Sequence, residues 1–153
     1  MRILLWGILS GVALLLVSAC NGGAGNSYSE YHSLRQGIWK FGDAVWFRPV
    51  HPDSICEGAF VVALRHDSSY PYTALRLEVS YESGRKPDTI DIRVADSYGK
   101  WLGRGIGTSF QLTDTLSPVA HVSGAKVSVR HLMRTDTLRG VNRVGLFFVP
   151  SGR

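Results

Sequence analysis

Leu75-Arg76-Leu77-Glu78-Val79-Ser80-Tyr81-Glu82 decides the fold of this chain. Its apolar and polar residues alternate strictly, and in an extended strand successive side chains point to opposite faces. Leu75, Leu77, Val79 and Tyr81 are thus expected on a buried face, with Arg76, Glu78, Ser80 and Glu82 in solvent. The pattern recurs downstream. Ile90, Ile92 and Val94 alternate with Asp91, Arg93 and Ala95, Phe110 and Leu112 with Ser109, Gln111 and Thr113, and Val127 and Val129 with Ser128 and Arg130. Residues 59–64 and 144–149 are nearly continuous apolar runs, which suit strands covered on both faces or central in a sheet. Residues 44–48 add a short aromatic strand.

Turn chemistry separates these segments: Pro49 with Pro52-Asp53, Ser69-Tyr70-Pro71, Ser83-Gly84-Arg85-Lys86-Pro87, Ser97-Tyr98-Gly99 and Leu116-Ser117-Pro118. No window carries a helical stripe longer than two turns, and no repeat appears at solenoid or propeller periods. The expectation is an all-β chain, an antiparallel β-sandwich of about eight strands, jelly-roll or immunoglobulin-like. The 153 residues amount to about one domain. An apolar content of 44% excludes a disordered chain, and two cysteines exclude a disulfide scaffold or a cysteine-based zinc ribbon.

The N-terminus supplies an address. Arg2 precedes an apolar run over residues 3–17, too short for a membrane span and suited to a signal-peptide core. It ends in Val17-Ser18-Ala19-Cys20, a branched apolar residue, two small residues and a cysteine. That pattern looks like a bacterial lipobox, in which the cysteine thiol carries the lipid and its freed amine is acylated. Residues 1–19 are thus expected as a lipoprotein signal peptide, residues 20–35 as lipidated Cys20, tether and lead-in, and residues 36–153 as the sandwich. Losing Arg2 with the leader lowers the net charge from +5 to +4. Several acyl chains make attachment effectively permanent. Residue 21 is Asn and no acidic cluster follows, which favours an outer-membrane anchor facing the periplasm over surface export. Cys56 is then the single free thiol and reads as inert.

Chemistry is sparse. His32, His51, His66, His121 and His131 form neither HxH nor HExxH, and Asp88, Asp91 and Asp96 lack the spacing of a calcium loop. No GxSxG elbow accompanies His66-Asp67. Gly99-Lys100-Trp101-Leu102-Gly103-Arg104-Gly105-Ile106-Gly107 fits neither dinucleotide nor P-loop spacing. It reads as a turn followed by a glycine-kinked strand, with Trp101 packing there. The functional alternative makes Trp101 and Arg104 an exposed binding pair. No catalytic residue, metal, cofactor or nucleic-acid partner is expected.

Three segments together resemble the gliding-motility-associated lipoprotein GldH family of Bacteroidota. They are Tyr70-Pro71 leading into Leu75-Arg76-Leu77, the stretch from Asp96 through Trp101 to Gly107, and Met133-Arg134-Thr135-Asp136-Thr137-Leu138-Arg139-Gly140-Val141-Asn142-Arg143-Val144-Gly145-Leu146. Their order and the lipobox near residue 20 agree with the family. Two features depart from it: Arg143 stands where the family carries an acidic residue, and residues 147–150 are apolar where members end in a charged strand. The resemblance implies a non-enzymatic, lipid-anchored accessory protein of the envelope, with gliding or type IX secretion proteins as partners. Arg134 and Asp136 are candidate interaction residues; Asp136 either pairs with Arg134 or caps the turn into Leu138. The rival reading is a carbohydrate-binding sandwich, which needs Trp39, Trp46 and Trp101 to form exposed platforms.

Overall fold

The computed structural model describes residues 27–151, so the signal run, Cys20 and the tether before Ser27 lie outside the described residues. Twelve strands follow one another: β1 (Tyr28–Ser33), β2 (Ile38–Lys40), β3 (Val45–Phe47), β4 (Ile55–Asp67), β5 (Ala74–Tyr81), β6 (Asp88–Arg93), β7 (Arg104–Ile106), β8 (Ser109–Thr115), β9 (Val119–Val122), β10 (Val127–His131), β11 (Thr137–Arg139) and β12 (Val141–Pro150). A 3-10 turn, Arg35–Gly37, joins β1 to β2. A six-stranded sheet runs β1-β12-β4-β8-β7 with β9 also on β4, a four-stranded sheet runs β3-β10-β5-β6, and β2 pairs with β11. All pairings are antiparallel. The chain is an antiparallel β-sandwich.

The two continuous apolar runs find each other. Val144 lies opposite Leu64, Leu146 opposite Val62 and Phe148 opposite Phe60, so β4 and β12 are the central pair of the larger sheet. These six side chains are fully buried. Facing them, β5 buries Leu75, Leu77, Val79 and Tyr81, as its alternation requires, and β10 buries Val127 and Val129. Trp39 and Leu138, opposite each other in the β2–β11 pair, join this core.

Two expectations change. Among the described residues the strand count is twelve rather than about eight, in part because β2, β9 and β11 are only three or four residues each and too short to show a period. Residues 28–33, read as a lead-in, form an edge strand along β12. Its inward positions are Tyr28, Glu30 and His32, all only half-buried, so no apolar alternation marks it.

Candidate functional site

Register decides what the outer face of the larger sheet presents. Residues directly opposite in an antiparallel pair share a face. Arg143 of β12 lies opposite Arg65 of β4, Arg65 opposite Gln111 of β8, and Gln111 opposite Arg104 of β7. Three arginines and a glutamine thus form one row across four strands. Arg143 and Arg104 are exposed and Arg65 is half-buried. Arg65 Nη2 donates to Gln111 Oε1 at 3.0 Å, and Gln111 Nε2 donates to the Tyr31 hydroxyl at 3.1 Å. A groove of about 880 Å³ opens here, lined by Arg65, Arg104, Ile106, Ser109, Gln111 and Thr113.

The glycines of the Gly-rich stretch shape this edge. Gly103 adopts φ +90°, and a Cβ there would collide with the Gln111 carbonyl. A Cβ at Gly105 would stand 2.7 Å from Cδ1 of Phe110. Their missing side chains let β7 lie against β8 with the Phe110 ring beneath it. The turn expected over residues 96–99 is present: the Gly99 N–H donates to the Asp96 carbonyl at 3.1 Å, and Asp96 Oδ1 accepts from Tyr98 N and Lys100 N.

Trp101 and Arg104 differ in their surroundings: Arg104 is exposed, while Trp101 is partly covered. Trp101 is half-buried and packs edge-on against His66, ring centroids 5.0 Å apart, with Phe110 at 6.0 Å. Its ring contacts are with these two side chains. His66 is itself stacked on Phe110 at 5.4 Å. Burial lowers the His66 pKa, opposed only in part by the Asp67 carbonyl 3.1 Å from its Nδ1. Burial pushes Asp67 upward, but hydrogen bonds from Ser69 and Asn142 outweigh it and hold its carboxyl below the usual range.

Arg134 and Asp136 lie in the connection between β10 and β11. Both are exposed, and among the ion pairs of the described residues none joins them. The Asp136 carbonyl accepts from Phe41 N at 2.9 Å, and the turn is held by Thr135, whose hydroxyl donates to the Thr137 carbonyl at 3.1 Å. Arg134 borders a smaller groove of about 350 Å³ with Tyr72, Arg76, Asp91 and Met133. Cys20 lies outside the described residues. Among those described, no cluster of three or more His, Cys, Asp or Glu side chains is placed to hold a metal ion.

The three tryptophans do not assemble a platform. Trp39 is 1% exposed and donates its indole N–H to the Asp43 carbonyl at 2.9 Å. Trp46 is 57% exposed on β3 of the smaller sheet, and Trp101 belongs to the His66–Phe110 cluster. Arg65, Gln111 and Arg143 carry no local signal in the sequence, because each is one polar position in a strand. Only cross-strand register joins them.

The family described as GldH lipoprotein matches residues 26–147. The chain belongs to the GldH lipoprotein family. The match takes in the whole sandwich up to Phe147, including β1 and the arginine row. No curated protein matches this GldH-family chain. Among solved structures, Eiger TNF from S. frugiperda is 8% identical with a TM-score of 0.40, over 83% of this chain and 94% of that one. Dimeric latent PorU from Porphyromonas gingivalis is 12% identical with a TM-score of 0.36, over 85% of this chain but 14% of that one. Neither likeness carries an argument about function.

Proposed function

We propose that this chain is a non-enzymatic accessory lipoprotein, anchored through Cys20 in the outer membrane, facing the periplasm, and serving the gliding or type IX secretion machinery. The observation that carries the reading is its membership in the GldH lipoprotein family. The lipobox-like Val17-Ser18-Ala19-Cys20 supplies the anchor, and the seven residues 21–27 reach at most about 25 Å when extended. The accessory role is one of binding, carried by the outer surface of a rigid sandwich.

Deleting the gene and scoring colony spreading and the secreted protein profile tests the role. Loss of either supports it, and a deletion strain unchanged in both overturns it. For the anchor, Cys20→Ser is expected to move the protein from the outer-membrane fraction to the soluble periplasm or to stall its processing. Normal processing with unchanged membrane retention overturns the anchor.

A further inference from the structure

The outer face of the six-stranded sheet carries an unneutralised charge. Arg143, Arg65 and Arg104 stand in one transverse row, yet none of them is in an ion pair among the described residues. Arg143 and Arg65 are directly opposite each other, an arrangement that destabilises a sheet when the charges are alike. Asp67, the acidic residue of β4 on that face, is hydrogen-bonded by Ser69 and Asn142 and in no ion pair with Arg65, so it offsets at most one of the three arginines. Arg65 is instead held by Gln111, a neutral partner that orients the guanidinium without cancelling it.

We propose that this row and the adjoining groove dock an acidic, extended polypeptide segment of a partner protein. The guanidinium fork binds carboxylates in a bidentate way, which makes glutamate and aspartate its natural complements. Neighbouring strands lie about 4.8 Å apart, so the row from Arg143 to Arg104 spans roughly 14 Å. A single small anion cannot bridge that length, whereas a chain bearing several carboxylates can. The groove ends at β7, a strand with a ladder partner on one side only. Beside it, Ile106 is 94% exposed and offers an apolar contact next to the charge.

The position of the row favours a protein over the anchoring bilayer. The described chain enters the sheet through Tyr28, opposite Phe148, while the row sits at the other end of β1, where Ser33 is opposite Arg143. The row therefore lies at the opposite end of β1 from the point where the described chain enters the sheet. This deepens the accessory reading, on which it rests, by naming the partner's chemistry.

The test uses the full chain purified in detergent and a fluorescent peptide alternating glutamate and threonine, followed by anisotropy. Binding is expected to weaken as salt rises. The triple variant Arg65→Gln, Arg104→Gln, Arg143→Gln is expected to bind roughly tenfold more weakly or worse, by the loss of three charge contacts. Arg76→Gln, on the other sheet, is expected to bind like the wild type. Equal binding by the triple variant overturns the proposal. So does arginine-dependent binding to phosphatidylglycerol vesicles without binding to the peptide. In cells, a triple variant that restores a deletion phenotype in full overturns the docking row while leaving the accessory role intact. A deletion without phenotype overturns the role and leaves the peptide measurement to judge the row.

Discussion

The two sheets finish their outer faces in opposite ways. On the four-stranded sheet the charges answer one another. Arg76 forms a bidentate pair with Asp91 at 2.7 Å, Arg130 reaches Glu78 at 2.8 Å, and Arg85 reaches Asp88 at 3.4 Å. The first two pairs join β5, β6 and β10 across the outer face, whereas Asp88 lies opposite inward Val79 at the sheet edge and outward Arg93 is in no ion pair among the described residues, so this face pairs most but not all of its charge. On the six-stranded sheet the outer face mixes half-buried apolar residues, Val61 and Phe147, with the arginine row. Tyr31 leans edge-on against Phe147 at 5.4 Å and covers Gly145, where a Cβ would meet its ring. A face that pairs most of its charges needs little beyond water. A face that sets like charges side by side carries an energetic cost that a partner can relieve.

Core truncations break or sharpen this contrast with the largest effect. Phe148→Ala is expected to cost about 3–5 kcal/mol, and its outward neighbour Phe147→Ala a smaller but clear amount, because β12 is packed on both faces. On β5, Leu77→Ala is expected to cost about 2–5 kcal/mol, while Ser80→Ala stays within about 0.5 kcal/mol. Urea unfolding of the four variants reads the difference. A neutral Phe147→Ala ends the two-sided picture of β12.

Trp101→Ala comes next. A fully buried Trp costs about 3–5 kcal/mol to truncate. Trp101 is half-buried against His66 and Phe110, so about 2–3 kcal/mol is expected, read as a lowered thermal midpoint. An unchanged midpoint with weakened partner binding makes it a contact residue instead.

Acidification probes the histidines of both sheets. Burial lowers the pKa of His66 and His121 on the larger sheet and of His131 on the smaller. The unfolded chain then takes up protons near pH 6.5 that the folded chain refuses. Their contribution is fully present above about pH 6.5 and is lost as pH falls below it toward the folded pKa values. Unfolding free energy is expected to drop between neutral pH and mildly acidic buffer, and His66→Phe to flatten part of the slope. A slope identical in wild type and variant removes His66 from the account.

The smallest effects compare the charges themselves. Arg130→Gln is expected to cost about 0.2–1 kcal/mol by breaking its pair with Glu78. Arg143→Gln is expected to be neutral or to stabilise by a few tenths of a kcal/mol by relieving its clash with Arg65. A loss on Arg143→Gln as large as that on Arg130→Gln means the row is satisfied within the molecule.

Which features the sequence exposes follows from their range along the chain. The strict alternation of residues 75–82 and the apolar runs at 59–64 and 144–149 are local, and the structure places them as a one-sided strand and a central pair. The turn at Asp96 is legible because its hydrogen bonds close within four residues. Edge strand β1 is not, since Glu30 and His32 occupy its inward positions and pair with each other at 2.9 Å. Trp101 is legible as a packing residue but not its partners, since His66 is 35 positions away in sequence. The arginine row is least visible of all. Residues 65, 104 and 143 become neighbours only when β4, β7, β8 and β12 take their register.

The position of β12 has a consequence for the order in which the molecule comes into being. It is the last strand in the described chain, yet it inserts between the first, β1, and the long strand β4. A chain that emerges from its N-terminus presents β1 and β4 with no shared partner between them. Their join waits for residues 141–150, and contacts of such long sequence separation form slowly. The larger sheet therefore cannot close around β1 and β4 until its final strand is in place.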